Sequence, residues 1–98
     1  MVRIRPIPAA DAVEATFLLD DPAAEAAAVA VDLLGWRLVP MRRYPPHSGP
    51  LRLTIRLPLA DEIQFRYLVD ATNWSNDPDA DRQPNGLGGE NSVVRVDT

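Results

Sequence analysis

Two segments of strict alternation, a few residues apart, restrict the fold of this chain more than any other feature. Leu51–Leu57 reads LRLTIRL, with Leu51, Leu53, Ile55 and Leu57 at every second position and Arg52, Thr54 and Arg56 between them. Successive side chains of an extended strand point to opposite faces, so this spacing puts aliphatic residues on one face and polar ones on the other, as in a half-buried strand. Pro58 has no N–H to give a ladder and ends the segment, Ala60-Asp61-Glu62 makes a short polar connection, and Ile63–Val69 follows. There Ile63, Phe65, Tyr67 and Val69 share one face and Gln64, Arg66 and Leu68 the other. The pair predicts a hairpin, with Leu53, Ile55, Phe65 and Tyr67 in the core.

Thr16–Leu19, Ala27–Leu33 and Ser92–Val96 read as further strands bounded by Asp, Pro or Gly, and a fourth segment runs from Val39 to Tyr44. Ala23–Ala30 pulls two ways, because Asp21-Pro22 before an alanine run is also how a helix begins. The alternation of Val29, Val31 and Leu33 favours a turn or short helical piece and then strand from about Ala27, with no helix longer than about two turns. Short strands punctuated by prolines predict an all-β chain folded as an antiparallel β-sandwich. Ninety-eight residues suffice for a single domain, 1-98, around one core, and a composition 46% hydrophobic and 24% charged argues against disorder.

Cysteine is absent, which excludes disulfides, thiolate metal sites and thiol nucleophiles. No apolar run approaches the roughly 18 residues of a membrane span, and the N-terminus MVRIRPIPAADAV lacks the apolar centre of a signal peptide. A cytoplasmic protein with no membrane partner is expected. The net charge of −4, with ten arginines scattered along the chain, argues against nucleic acid as a partner. No cofactor is indicated.

The chain has only two tryptophans, Trp36 after the Ala27–Leu33 segment and Trp74 after Ile63–Val69, both at strand ends where binding loops gather. From Gln64 to Val96 the order is distinctive: a strand closing in Val69-Asp70, then Trp74, then Asp77-Pro78, then Leu87-Gly88 and Asn91 before a valine-rich strand. This order resembles the carbohydrate-binding module of the isoamylase early-set type, found before the catalytic barrel of branching and debranching enzymes and as the glycogen-binding domain of the AMP-activated protein kinase β subunit. The resemblance implies an immunoglobulin-like version of the sandwich. It also implies sugar-binding roles for Trp36, Arg66, Trp74, Leu87 and Asn91, with the leucine inserted into the glucan spiral and the polar groups on glucose hydroxyls. In the family the first tryptophan closes a motif like Gly-Asp-Phe-Asn-x-Trp, whereas here Val31-Asp32-Leu33-Leu34-Gly35-Trp36 keeps the tryptophan but not the motif around it. The second follows Val-Asp-Gly, matched here by Val69-Asp70-Ala71. Glucose offers flat C–H faces and a fringe of hydroxyls, so aromatic platforms ringed by amides and a guanidinium suit it.

Other patterns carry less. Asp77, Asp79 and Asp81 imitate the start of a calcium loop, but Arg82 and Gly88 stand where that loop needs glycine and glutamate, so no metal site is expected. Gly86-Leu87-Gly88-Gly89 leads into a strand rather than a helix, which suits a turn better than a phosphate cradle. His47, the only histidine, sits in a proline-rich loop and reads as solvated. Nothing in the spacing of the fourteen acids singles out a catalytic pair.

The expected function is a non-catalytic module for α-glucan polysaccharide or maltooligosaccharide, alone or recruiting a partner to it. The alternative is a structural or protein-interaction domain that has lost sugar binding. It draws on the missing Phe-Asn before Trp36 and on Leu33-Leu34, which if exposed would suit a homodimer or protein partner.

Overall fold

The two alternating segments lie in different sheets. The computed structural model describes residues 1–46, 48–86 and 89–96. In chain order its strands are β1 (Val2–Ile7), β2 (Ala12–Leu19), β3 (Ala27–Val31), β4 (Leu38–Pro40), β5 (Arg42–Arg43), β6 (Leu51–Pro58), β7 (Glu62–Val69), β8 (Asn73–Ser75), β9 (Asp81–Pro84) and β10 (Glu90–Arg95). One antiparallel sheet has the order β1-β2-β6-β5; the other has the order β4-β3-β7-β10-β9, with β8 also paired to β7. The two pack face to face as an all-β sandwich.

The expected hairpin is therefore a crossover between sheets. Alternation says that each strand has one apolar face, but not whether the two faces lie side by side or opposite each other across the core. The connection is held by other segments, with the Leu59 N–H donating to the Asp11 carbonyl at 3.1 Å and the Val96 N–H to the Asp61 carbonyl at 2.9 Å. The segment Val39 to Tyr44 is likewise two strands: β4 pairs with β3 and β5 with β6, and the chain changes sheets at buried Met41. A turn at Asp21, whose carboxylate accepts from the Ala23 N–H at 3.1 Å, leads into strand at Ala27. That strand stops at Val31, and Asp32–Leu34 form a 3-10 turn where the sequence pattern continued to Leu33. β2 begins at Ala12 rather than Thr16, and β1 was not foreseen despite its alternating Val2, Ile4 and Pro6. β8 and the fully exposed β9 have no apolar face for periodicity to detect.

Phe17, Phe65 and Tyr67 fill the centre of the core. Phe65 meets Phe17 edge-on at 5.1 Å and Tyr67 at 5.6 Å between ring centroids, the arrangement that aromatic quadrupoles favour. Leu53 and Ile55 face the same core but stay half-buried, because β5 pairs with β6 only at Arg52 and Leu51 and leaves the rest of β6 as a sheet edge. Among the described residues no helix is long and apolar enough to cross a membrane.

Candidate functional site

The outward face of the second sheet is built around β7. Alternation leaves Gln64, Arg66 and Leu68 pointing away from the core, and register sets Ala30 of β3 opposite Arg66 and Trp74 of β8 opposite Leu68. Asn91 of β10 lies next to Ser92, which pairs with Phe65.

Two loops lift the tryptophans onto this face. Asp32 accepts from the N–H groups of Leu33 at 2.8 Å and Gln64 at 3.1 Å, which ties the 3-10 turn to β7. Gly35 and Trp36 then both take left-handed backbone, at φ 65° and 63°, and the Trp36 N–H returns to the Val31 carbonyl at 2.9 Å. A bulky residue in that region stores strain, so its tight geometry must be held by its surroundings. After β7, Asp70 and Ala71 are also left-handed, at φ 53° and 61°, and turn the chain back into β8. The Asp70 carboxylate accepts from the N–H groups of Glu25 at 2.8 Å and Ala26 at 3.0 Å and anchors that turn to the segment before β3.

Beyond Trp74 a buried polar network fixes the loop to β10. The Tyr67 hydroxyl donates to Asp77 at 2.9 Å, the Asp77 N–H donates to Ser92 Oγ at 2.9 Å, and that hydroxyl donates to Asn76 Oδ1 at 2.8 Å. Burial, the largest influence on Asp77, pushes its carboxyl up. The Met1 ammonium, the Asp79 N–H and the Tyr67 hydroxyl more than offset that and hold it below the ordinary carboxylate value. Burial and the adjacent Asp77 charge push the Tyr67 hydroxyl far above its ordinary value. The Asp-Pro turn is thus structural in this chain, and the oxygens of Asp77 are engaged within the protein.

Trp36, Arg66, Trp74 and Asn91 converge on one open hollow of about 360 Å³, together with Ala30 and Asn85. Both indoles face solvent, Trp36 at 43% and Trp74 at 49% exposure, so neither is a core plug. The Arg66 guanidinium lies 4.9 Å from the centroid of the Trp74 ring, a cation–π contact, and its buried Nε has no hydrogen-bond partner among the described residues. Asn91 is 6% exposed and donates to Gln64 Oε1 at 3.1 Å. Leu87, the fifth residue singled out in the sequence, lies outside the described residues, as do Gly88 and His47. The sequence reading missed Ala30, Asn85 and Gln64. Gln64 had a signal, since it precedes Arg66 by two on the same face; the place of Ala30 depends on strand register. Leu33 and Leu34 are half-buried and pack against the core, so they do not form an exposed apolar pair.

The described residues lining the hollow offer two aromatic faces, a cation and two amides, and no carboxylate. Comparison with models of known protein families and with curated proteins finds no match.

Proposed function

We propose that this chain is a non-catalytic binding module for α-glucan, of the glycogen or starch type. The observation that carries this reading is the meeting of Trp36, Arg66, Trp74 and Asn91, far apart in sequence, on one solvent-facing hollow. Indole faces stack on the C–H faces of glucose, while guanidinium and amide groups satisfy its hydroxyls. The Arg66 guanidinium, which lines the hollow beside the exposed Trp74 ring, carries N–H donors suited to a hydroxyl acceptor. The resemblance of Gln64 to Val96 to the early-set glycogen-binding modules points the same way. The interaction-domain alternative keeps the missing Phe-Asn before Trp36 but loses the exposed leucine pair, since Leu33 and Leu34 are half-buried against the core.

Retention on insoluble starch or glycogen tests the reading, with unfolding measured on the same proteins. Trp74→Ala is expected to weaken retention by at least about tenfold while changing stability by less than about 0.5 kcal/mol, because an exposed ring supplies binding area rather than core packing. A wild-type chain that is not retained by starch or glycogen, and whose tryptophan fluorescence is unmoved by maltoheptaose, would end the sugar hypothesis.

A further inference from the structure

The outward face of the first sheet has a different chemistry. Strand pairing there gathers Arg3 and Arg5 of β1, Arg52 and Arg56 of β6 and Arg42 of β5 around Glu14, Thr16 and Leu18 of β2. Half of the chain's ten arginines thus share one face, against a single acid, in a protein whose net charge is −4; the remainder of the molecule is correspondingly acidic. Only Arg5 is paired, to Glu14 at 3.0 Å. Among the described residues the guanidinium groups of Arg3, Arg42, Arg52 and Arg56 have no hydrogen bond or ion pair.

Solubility alone does not account for this. A protective surface mixes signs, whereas here Arg42 and Arg52 stand directly opposite each other in register, a like-charge pair that works against the sheet. Arg52 also joins two hollows. One, of about 370 Å³, lies among Arg3, Arg5, Glu14, Thr16, Leu18 and Arg52, with the single acid engaged by Arg5; the other, of about 280 Å³, lies among Arg42, Tyr44, Arg52 and Thr54. Between them the hydroxyls of Thr16 and Thr54 meet at 3.0 Å.

We propose that this face docks a short acidic segment of a protein partner, with its carboxylates on the guanidinium groups and apolar side chains in the two hollows, against Leu18 in one and Tyr44 in the other. Guanidinium forks match carboxylates two bonds at a time, and arginine and tyrosine are the residues that carry most binding energy at protein interfaces. Tyr44 is 68% exposed beside Arg42 and Arg52 and supplies an aromatic surface next to the guanidinium groups. The basic patch spans four strands, about 14 Å, and about 13 Å from Arg52 to Arg56 along β6. A short segment fits within it, while a long polyanion would run onto the acidic remainder. One aromatic ring is also no platform for a run of stacked bases.

The test is an NMR titration of the full chain with a glutamate-rich peptide containing leucine, alongside its glutamine counterpart, oligothymidylate and phosphatidylserine vesicles. The expected result is perturbation of Thr16, Leu18, Thr54 and the Arg52 Nε–H by the glutamate peptide, weakening as salt is raised, with Trp36 and Trp74 unmoved. Arg52→Glu should weaken the peptide at least about tenfold with an unfolding midpoint no lower than that of wild type, since it replaces a like-charge pair with an opposite-charge one. If that variant does not fold, Arg52→Gln should weaken it severalfold. Equal response to the glutamine peptide, perturbation confined to other surfaces, tighter binding of oligothymidylate or vesicles, or undiminished affinity of a folded Arg52 variant would each overturn the proposal.

Discussion

The two outward faces of the sandwich obey the same alternation and reach opposite chemistries. On the second sheet β3, β7 and β10 supply Ala30, Gln64, Arg66 and Asn91, while the two aromatic faces, Trp36 after the 3-10 turn and Trp74 on the short β8, are brought over the strands by left-handed turn residues. On the first sheet most of the chemistry comes from strand positions: Arg3, Arg5, Arg52 and Arg56 project from a ladder that needs no special turn to place them. A face built from strands is hard to lose without losing the sheet. A face built from loops depends on the clamps that hold them, here Asp32, Asp70 and Asp77.

Both faces stand on one core, so the largest expected effect removes them together. Phe65 is fully buried and touches Phe17 and Tyr67. Truncation to alanine deletes that packing and leaves a cavity, which should destabilise by roughly 3–5 kcal/mol, a large part of what a domain of this size has. Chemical denaturation gives the number. Binding at both faces should fall in parallel with the folded fraction, and loss at one alone would mean that the sheets are less coupled than the shared aromatic cluster implies.

The core face was legible because periodicity reports it directly: Phe65 and Tyr67 are buried as expected, whereas on β6 the buried residues are Leu51 and Leu57 and the expected Leu53 and Ile55 stay half-buried at the sheet edge. Which strands pair was not, because alternation is blind to whether two apolar faces are adjacent or opposed, and the expected hairpin became a crossover. Four members of the candidate site could be read from tryptophan placement and the order of residues around it, while Ala30 needed the register with Arg66. The arginine face was hidden for a different reason. In sequence its members look scattered from Arg3 to Arg56, and only the neighbourhood of β1, β2, β6 and β5 gathers them.

An intermediate effect should separate the faces. Tyr67→Phe removes the hydroxyl that donates to the buried Asp77 carboxylate, and losing a hydrogen bond to a charged group should destabilise by about 1.5–3 kcal/mol. The damage falls on the Trp74 loop and β10, so glucan retention should suffer before peptide binding does. The pH profile gives a sharper check. Asp77 is held below its ordinary value of 3.8, so its contribution is present above that pH and is lost as pH falls beneath it. Tyr67 is held above its ordinary value of 10.0, so its contribution is present up to that pH and is lost beyond it, as the unfolded chain ionises. Wild type should weaken on both sides; the phenylalanine variant should show a shallower alkaline decline. An unchanged alkaline limb would mean that Tyr67 is not the group responsible.

The smallest expected change has the opposite sign. Arg52 stands in direct register with Arg42, and neither guanidinium has an anionic partner among the described residues. Replacing Arg52 with threonine relieves the like-charge pair and keeps a good strand former, so the free chain should gain a few tenths of a kcal/mol. The gain should shrink as salt is added, because screening already weakens the repulsion it removes. Thermal unfolding at low and high ionic strength measures both quantities. A loss of stability that is indifferent to salt would show that the arginine stem packs on the sheet and outweighs the charge. A salt-sensitive gain, joined to loss of the glutamate peptide and full retention on glycogen, would mark this face as one that holds unfavourable charge for a partner while the opposite face works independently.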